Sequence, residues 1–187
     1  MKKYVWITLL VVVALVGSLG YAAREITFAH YANADESAQQ ALDNTVLNKI
    51  TDGVPYTGGM QGYCFTGTDK QGRTVYAWTE KGKVVSSVYA DLGLNRDKVA
   101  EALKNPVWAK TLAPDVKPDL QPLLKVAEVL HAIPGPVLQG AKTQYRTASS
   151  KYVWEVYGTF DNGKQGYTYV DFKSGEVLWQ YVLDNPA

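Results

Sequence analysis

Apolar and polar positions alternate along two stretches of this chain, and the alternation has the two-residue period of half-buried strands. In the first stretch it predicts strands over Tyr63–Thr68, Arg73–Thr79 and Lys83–Tyr89, with turns at Asp69-Lys70-Gln71-Gly72 and Lys81-Gly82. In the second it predicts strands over about Lys142–Thr147, Tyr152–Gly158, Gly166–Phe172 and Val177–Leu183, with turns at Asp161-Asn162-Gly163 and Lys173-Ser174-Gly175. Helical spacing takes over elsewhere. Ala34, Ala38, Ala41, Leu42, Thr45, Val46 and Ile50 follow the capping-box-like Asn33-Ala34-Asp35-Glu36, which predicts a helix near Asn33–Thr51. Asn95 is placed to cap a second helix carrying Val99, Ala100 and Leu103, with Asp97 in its first turn.

The stretch 105–136 breaks the pattern, because it holds six of the eight prolines. Within it Leu120, Leu123, Leu124, Ala127, Leu130 and Ile133 form an apolar stripe that predicts a helix near Asp119–Ala132. That helix would cover the second sheet or present a face to a partner.

The two stretches repeat one another. Gly67 aligns with Gly158, Thr68 with Thr159, Gly72 with Gly163, Tyr76 with Tyr167 and Trp78 with Tyr169, each 91 positions apart. After a slip of two residues Gly82 meets Gly175, Val84 meets Val177 and Val85 meets Leu178. The expectation is an α+β protein of two small units on one plan, each a helix packed on an antiparallel sheet, over residues 24–92 and 93–187.

The amino terminus alters this picture. After Lys2 and Lys3, residues 4–23 carry no charge, and 20 residues of helix span roughly 30 Å, about a bilayer core. Residues 1–23 are read as a cytoplasmic tip and transmembrane anchor, with the rest extracytoplasmic by the positive-inside rule. A cleaved signal peptide is the competing reading, since Gly20-Tyr21-Ala22 offers a small-x-small site. From Arg24 onward 17 Lys+Arg face 18 Asp+Glu, so no broad positive field exists to hold nucleic acid.

Candidate chemistry is sparse. The single cysteine, Cys64, permits no internal disulfide; it reads as a small buried strand residue or as a reactive thiol. His30 and His131 stand far apart, with no HExxH or CxxC, so no metal site is expected. No nucleophile elbow or phosphate loop occurs, so no catalytic residue, cofactor or small-molecule substrate is expected. Trp154, Val156 and Trp179 read as core of the second unit. The aromatic pairs are the better lead. Tyr76 and Trp78 share one face of a strand, as do Tyr167 and Tyr169 in the repeat. These four are the candidate interaction residues. They either pack the two units together or form a surface for protein or glycan.

The order of parts is that of a known family. A Lys-bearing tip, an apolar run and an Ala-rich helix lead into YCFTGTDKQGRTVYAW, LNRDKVAEAL and YVWEVYG, and then GYTYVDFKSGEVL. This resembles the TseB-like (YpmB) cell-wall elongation regulators of Gram-positive bacteria, whose exported part looks like two PepSY-type, cystatin-like units. Gly166–Leu178 is also similar to the general PepSY ending, in which a tyrosine-rich strand runs into V-D-x-x-[ST]-G-x-[VIL]. The resemblance implies a non-enzymatic, single-pass membrane protein that adjusts wall elongation by binding a penicillin-binding protein. Regulation or inhibition of an exported peptidase is the alternative it leaves.

Overall fold

The computed structural model describes residues 33–56, 60–110, 122–137 and 149–183. The anchor expected at 4–23, the strand expected near 142–147 and part of the 105–136 segment lie outside the described residues, and no helix among those described is long and apolar enough to cross a membrane.

Eight strands make two antiparallel sheets of four, each a simple meander. The first holds β1 (Lys49–Tyr56), β2 (Gly62–Thr68), β3 (Thr74–Glu80) and β4 (Lys83–Tyr89); the second holds β5 (Val126–Pro136), β6 (Tyr152–Phe160), β7 (Gln165–Asp171) and β8 (Val177–Val182). Both lie in the compact unit Ser37–Ala187. A helix precedes each sheet. The first, α1, covers residues 33–44, and its Ala38, Ala41 and Leu42 pack on Phe65, Val75 and Ala77. The second, α2 (Arg96–Ala102), is capped by the Asn95 side chain accepting from the Lys98 amide. Its Val99, with Leu103 just beyond, packs on Trp154, Val156, Val170 and Phe172.

The sequence repeat is a repeat of structure, down to its irregularities. The β1–β2 ladder slips between Ile50 and Asp52, and the β5–β6 ladder between Val129 and His131. The β3–β4 ladder slips between Trp78 and Thr79, and the β7–β8 ladder between Tyr169 and Val170. Gly67 and Gly158 face the first of these bulges in their respective sheets. A Cβ on Gly67 would meet the Lys49 carbonyl, and one on Gly158 the Glu128 carbonyl, so both sites exclude a side chain. The two-residue slip in the alignment falls in a turn. β3 and β4 are joined by Lys81-Gly82, both at positive φ, as a two-residue hairpin requires. The matching turn in the second sheet runs through Phe172–Gly175. There the Asp171 carboxylate accepts from the Lys173 and Ser174 amides at 2.8 Å each.

Two elements differ from the expectation, for one physical reason. From Val126 onward the stripe assigned to a helix near Asp119–Ala132 is strand β5, with Leu123 and Leu124 in irregular chain before it. Its two bulges, at Ala127 and Leu130, each insert a residue, which turns a period of two into an apparent period of three to four. His131 accordingly sits in a strand and not at a helix end. Likewise the helix expected to reach Thr51 stops at residue 44. The Thr45 hydroxyl turns back onto the Ala41 carbonyl at 2.6 Å, and Lys49 already begins β1, whose bulge at Thr51 hid it. The prolines fit because β1 and β5 are edge strands.

Candidate functional site

Each sheet has one face turned to its helix and one turned away. On the face turned away, two cross-strand rows occupy equivalent positions. In the first sheet they are Asp52–Thr66–Tyr76–Val88 and Val54–Cys64–Trp78–Ser86. In the second they are His131–Tyr157–Tyr167–Tyr181 and Ile133–Glu155–Tyr169–Trp179. The four candidate residues fall at matched places, Tyr76 with Tyr167 and Trp78 with Tyr169, but their surroundings differ.

The first sheet's face is closed by the second sheet. Trp78 has no exposed surface. Its ring stacks on Tyr152 at 5.2 Å, and its indole N–H donates to the Pro134 carbonyl at 2.8 Å. Tyr76 presents its ring edge-on to Trp154 and Phe172, at 6.0 and 6.4 Å. Tyr152 reaches back into β4, with its hydroxyl 2.8 Å from the Ser86 hydroxyl and donating to the Ser87 carbonyl at 3.0 Å. Tyr56, Met60, Cys64 and Ile133 complete the seam. Of the two uses open to the aromatic pair, Tyr76 and Trp78 serve the packing of sheet on sheet. Burial pushes the Cys64 thiol up to about 12, so it stays protonated and inert.

The second sheet's face is different. Tyr157, Tyr167, Tyr169 and Trp179 are half-buried, and His131 and Tyr181 are exposed, Tyr181 at 48%. Rings on adjacent strands lean together: Tyr157–Tyr167 at 5.0 Å and Tyr169–Trp179 at 5.3 Å. These separations nearly equal the spacing of about 4.8 Å between strands, so the rings sit side by side across neighbouring strands, the first pair tilted at 39° and the second stacked at 24°. Trp179, expected in the core, lies on this face. Glu155 sits beneath it, 6% exposed, and accepts from the Tyr169 hydroxyl at 2.7 Å. Burial raises its pKa above the usual carboxylate range, against the pull of the Tyr169 hydrogen bond and of His131. The candidate list drawn from sequence omitted Tyr157, Tyr181 and His131. Tyr157 and Tyr181 were within reach, since each stands two residues from a member of the neighbouring row and so shares its face. His131 was hidden by the β5 bulges.

Among the described residues, the other two buried carboxylates, Asp69 and Asp171, are already engaged. A shallow hollow of about 540 Å³ beside the end of α1 is lined by Thr45, Asn48, Asp69, Lys70 and Tyr89 among others. Its buried carboxylate, Asp69, is held by the Arg73 guanidinium at 2.8 Å and by the Tyr89 hydroxyl at 3.2 Å. Asp171 is likewise occupied, accepting from the amides and hydroxyl of the Ser149-Ser150 segment and from its own turn. Burial alone would raise its carboxyl, but the Ser174, Lys173 and Ser149 hydrogen bonds outweigh it and hold it below the usual range.

No family model matches the chain. A protein of Bacillus subtilis (strain 168) described as "Probable cell wall elongation regulator TseB" is 27% identical over 147 residues, which cover 77% of this chain and 73% of that one. The solved structure of the YpmB protein from Bacillus subtilis matches with a TM-score of 0.53 and 22% identity, over 80% of this chain and 96% of that one. The structural match speaks for the fold, and the sequence match covers most of both proteins.

Proposed function

We propose, for a chain that is TseB/YpmB-like in sequence and fold, that it is a membrane-anchored, extracytoplasmic and non-catalytic protein that regulates cell-wall elongation by binding a penicillin-binding protein. The observation that carries a binding role is the half-open aromatic face of the second sheet, whose twin in the first sheet is already filled by protein. A tyrosine-rich sheet face of this kind suits a protein interface, where aromatic rings bring area at little entropic cost. Support for the wall-elongation context comes from the description of the Bacillus subtilis relative. Support for the anchor comes from the uncharged run at residues 4–23 behind Lys2 and Lys3.

The test is a crosslinked pull-down of the tagged full-length protein from its own membranes, with mass spectrometry of the captured proteins. Enrichment of a penicillin-binding protein is the expected outcome. Enrichment of an exported peptidase without any wall synthase would replace this reading with peptidase regulation. Fractionation of the same cells, with the tag recovered in the membrane pellet at full length, checks the anchor against a cleaved leader.

A further inference from the structure

Three carboxylates are buried among the described residues: Asp69, Glu155 and Asp171. Two of them are well supplied with donors. Asp69 accepts from the Gln71 and Arg73 amides at 2.9 Å each and from the Arg73 guanidinium at 2.8 Å. Asp171 accepts from the Ser149, Ser150, Lys173 and Ser174 amides and from the Ser149 hydroxyl. Glu155 has a single donor, the Tyr169 hydroxyl on Oε2, although a carboxylate can accept about four hydrogen bonds. The two ion pairs among the described residues are Arg73–Asp69 and Lys104–Glu101, so neither reaches it. Burial pushes all three carboxyls up. The hydrogen bonds of Asp69 and Asp171 outweigh that push, whereas the Tyr169 bond and the charge of His131 do not outweigh it at Glu155. A buried carboxylate without a paired cation is costly, and a cation brought to it is favoured accordingly.

Asp69 shows the chemistry that completes such a group. The Tyr89 hydroxyl donates to Asp69 Oδ2 at 3.2 Å, and the Arg73 guanidinium bonds the same oxygen at 2.8 Å. That guanidinium also lies over the Tyr89 ring, 4.1 Å from its centroid. One arginine is thus held by a carboxylate and by the ring of the tyrosine bonded to that carboxylate. Glu155 and Tyr169 make the same carboxylate–tyrosine pair, with a hydrogen bond of 2.7 Å. Aromatic rings surround the pair. Tyr169 stacks on Trp179 at 5.3 Å, and Tyr157, two residues from Glu155 along β6, meets Tyr167 at 5.0 Å. Ring faces attract a cation, and the carboxylate adds a full charge of the right sign. These rings are half-buried, and Glu155 itself keeps 6% of its surface. In the first sheet the position of Glu155 is held by Cys64, 2% exposed and uncharged beside Trp78. The charge therefore belongs to the half-open copy alone. A neutral ligand would leave it uncompensated, and an acidic one would oppose it.

We infer that Glu155, flanked by Tyr169 and Trp179, is the docking point for an arginine side chain of the protein partner, which bonds the carboxylate and lies against the rings. The inference rests on the reading of this chain as an interaction protein and names the residue and the charge by which its half-open face recognises the partner. The probe is the peptide acetyl-Gly-Arg-Gly-amide, titrated onto the full-length protein in zwitterionic detergent micelles. NMR signals of the Trp179 indole and the Tyr169 ring report binding, and saturable shifts of both are expected. Affinity should fall about tenfold or more with Glu155→Gln, which keeps an acceptor for Tyr169. It should fall by a similar factor on unaltered protein when citrulline, which has the shape of arginine without its charge, replaces the arginine. The absence of a saturable shift, an affinity unchanged by Glu155→Gln, or equal binding of the citrulline peptide would overturn the proposal. So would equal binding of acetyl-Gly-Glu-Gly-amide. Self-association of the wild type that Glu155→Gln abolishes would make a second copy the occupant and overturn it too. The pull-down with Glu155→Gln separates this proposal from the regulator reading. A penicillin-binding protein captured equally by wild type and variant removes the docking point and leaves the regulator. An arginine peptide bound through Glu155, with no wall enzyme captured by the wild type, leaves the docking point and removes the regulator.

Discussion

Trp78 and Tyr169 stand at the same place in two copies of one sheet, yet one is sealed in and the other half open. Trp78 loses all its exposed surface to Tyr152 and Pro134, whereas Tyr169 stacks on Trp179 and bonds Glu155. The backbones match to the position of each shared bulge. The difference therefore lies in the side chains: the first face packs against the second sheet, and the second face stays half open. In the row beside them, the first copy has Asp52, Thr66, Tyr76 and Val88 where the second has His131, Tyr157, Tyr167 and Tyr181. A repeat can hold its fold while one copy gives up its outer face to pack the other.

The largest effect should come from breaking the closed face. Trp78→Ala opens a cavity at the seam and leaves the Pro134 carbonyl without its donor, which should cost about 3–5 kcal/mol in denaturant unfolding. Tyr181→Ala, exposed on the other face, should stay within about 0.5 kcal/mol of wild type. Equal costs would mean that the two faces do not divide stability from contact.

The bulges should be felt alike in both copies. Gly67→Ala and Gly158→Ala each force a Cβ onto the carbonyl of an edge strand. Each should destabilise by about 1–3 kcal/mol, the usual range for overpacking. Gly72→Ala and Gly163→Ala test the paired turns instead. Nothing crowds a Cβ at either site, but φ is +79° at both, so the cost should be the smaller one of about 1 kcal/mol for a left-handed alanine. Thermal unfolding of the four variants checks whether the pairs move together.

Charge sharpens the comparison through pH. The folded pKa of Glu155 is raised, so its contribution to stability is complete below the unfolded value of about 4.3 and is lost as pH rises through the folded value. Asp171 behaves in the opposite sense. Its folded pKa is lowered, so its contribution is present above the unfolded value of about 3.9 and is lost as pH falls through the folded one. Glu155→Gln, which keeps an acceptor for Tyr169, should flatten the decline in stability on the alkaline side of pH 4.3. Asp171→Asn should flatten the decline on the acid side. Denaturant unfolding of the two variants across pH 3–7 reads both slopes, and a Glu155→Gln profile parallel to wild type would mean that burial is not what sets this carboxyl.

Much of this comparison was legible in the chain. The glycines at 67, 72, 82, 158, 163 and 175 and the aromatic pairs gave six of the eight strands and the doubled plan, because hairpin turns and alternation are local signals. The cap at Asn95 was readable for the same reason. β1 and β5 were not. Each is a bulged edge strand with prolines, and a bulge removes the periodicity by which a strand is recognised in sequence. The candidate residues were identified as aromatic pairs, but which pair was sealed depended on Pro134 and Tyr152, which lie 56 and 74 positions from Trp78. Contacts at that separation leave no mark in a local pattern.

The smallest prediction moves one atom group from the second copy into the first. Thr79 is fully buried, and among the described residues its hydroxyl has no hydrogen-bond partner. The matching residue in the second sheet is Val170, also fully buried, next to the same kind of bulge. Valine has nearly the shape of threonine, so Thr79→Val should fit the existing space. A buried hydroxyl without a partner costs about 1–3 kcal/mol of desolvation that a methyl does not incur. Thr79→Val should therefore stabilise the protein by about 1 kcal/mol, against the usual direction of core substitutions. The reverse exchange, Val170→Thr, should destabilise by a similar or larger amount. If Thr79→Val instead destabilises, the hydroxyl has a partner in solution, such as a buried water, and the first copy holds a polar site at this bulge that the second lacks.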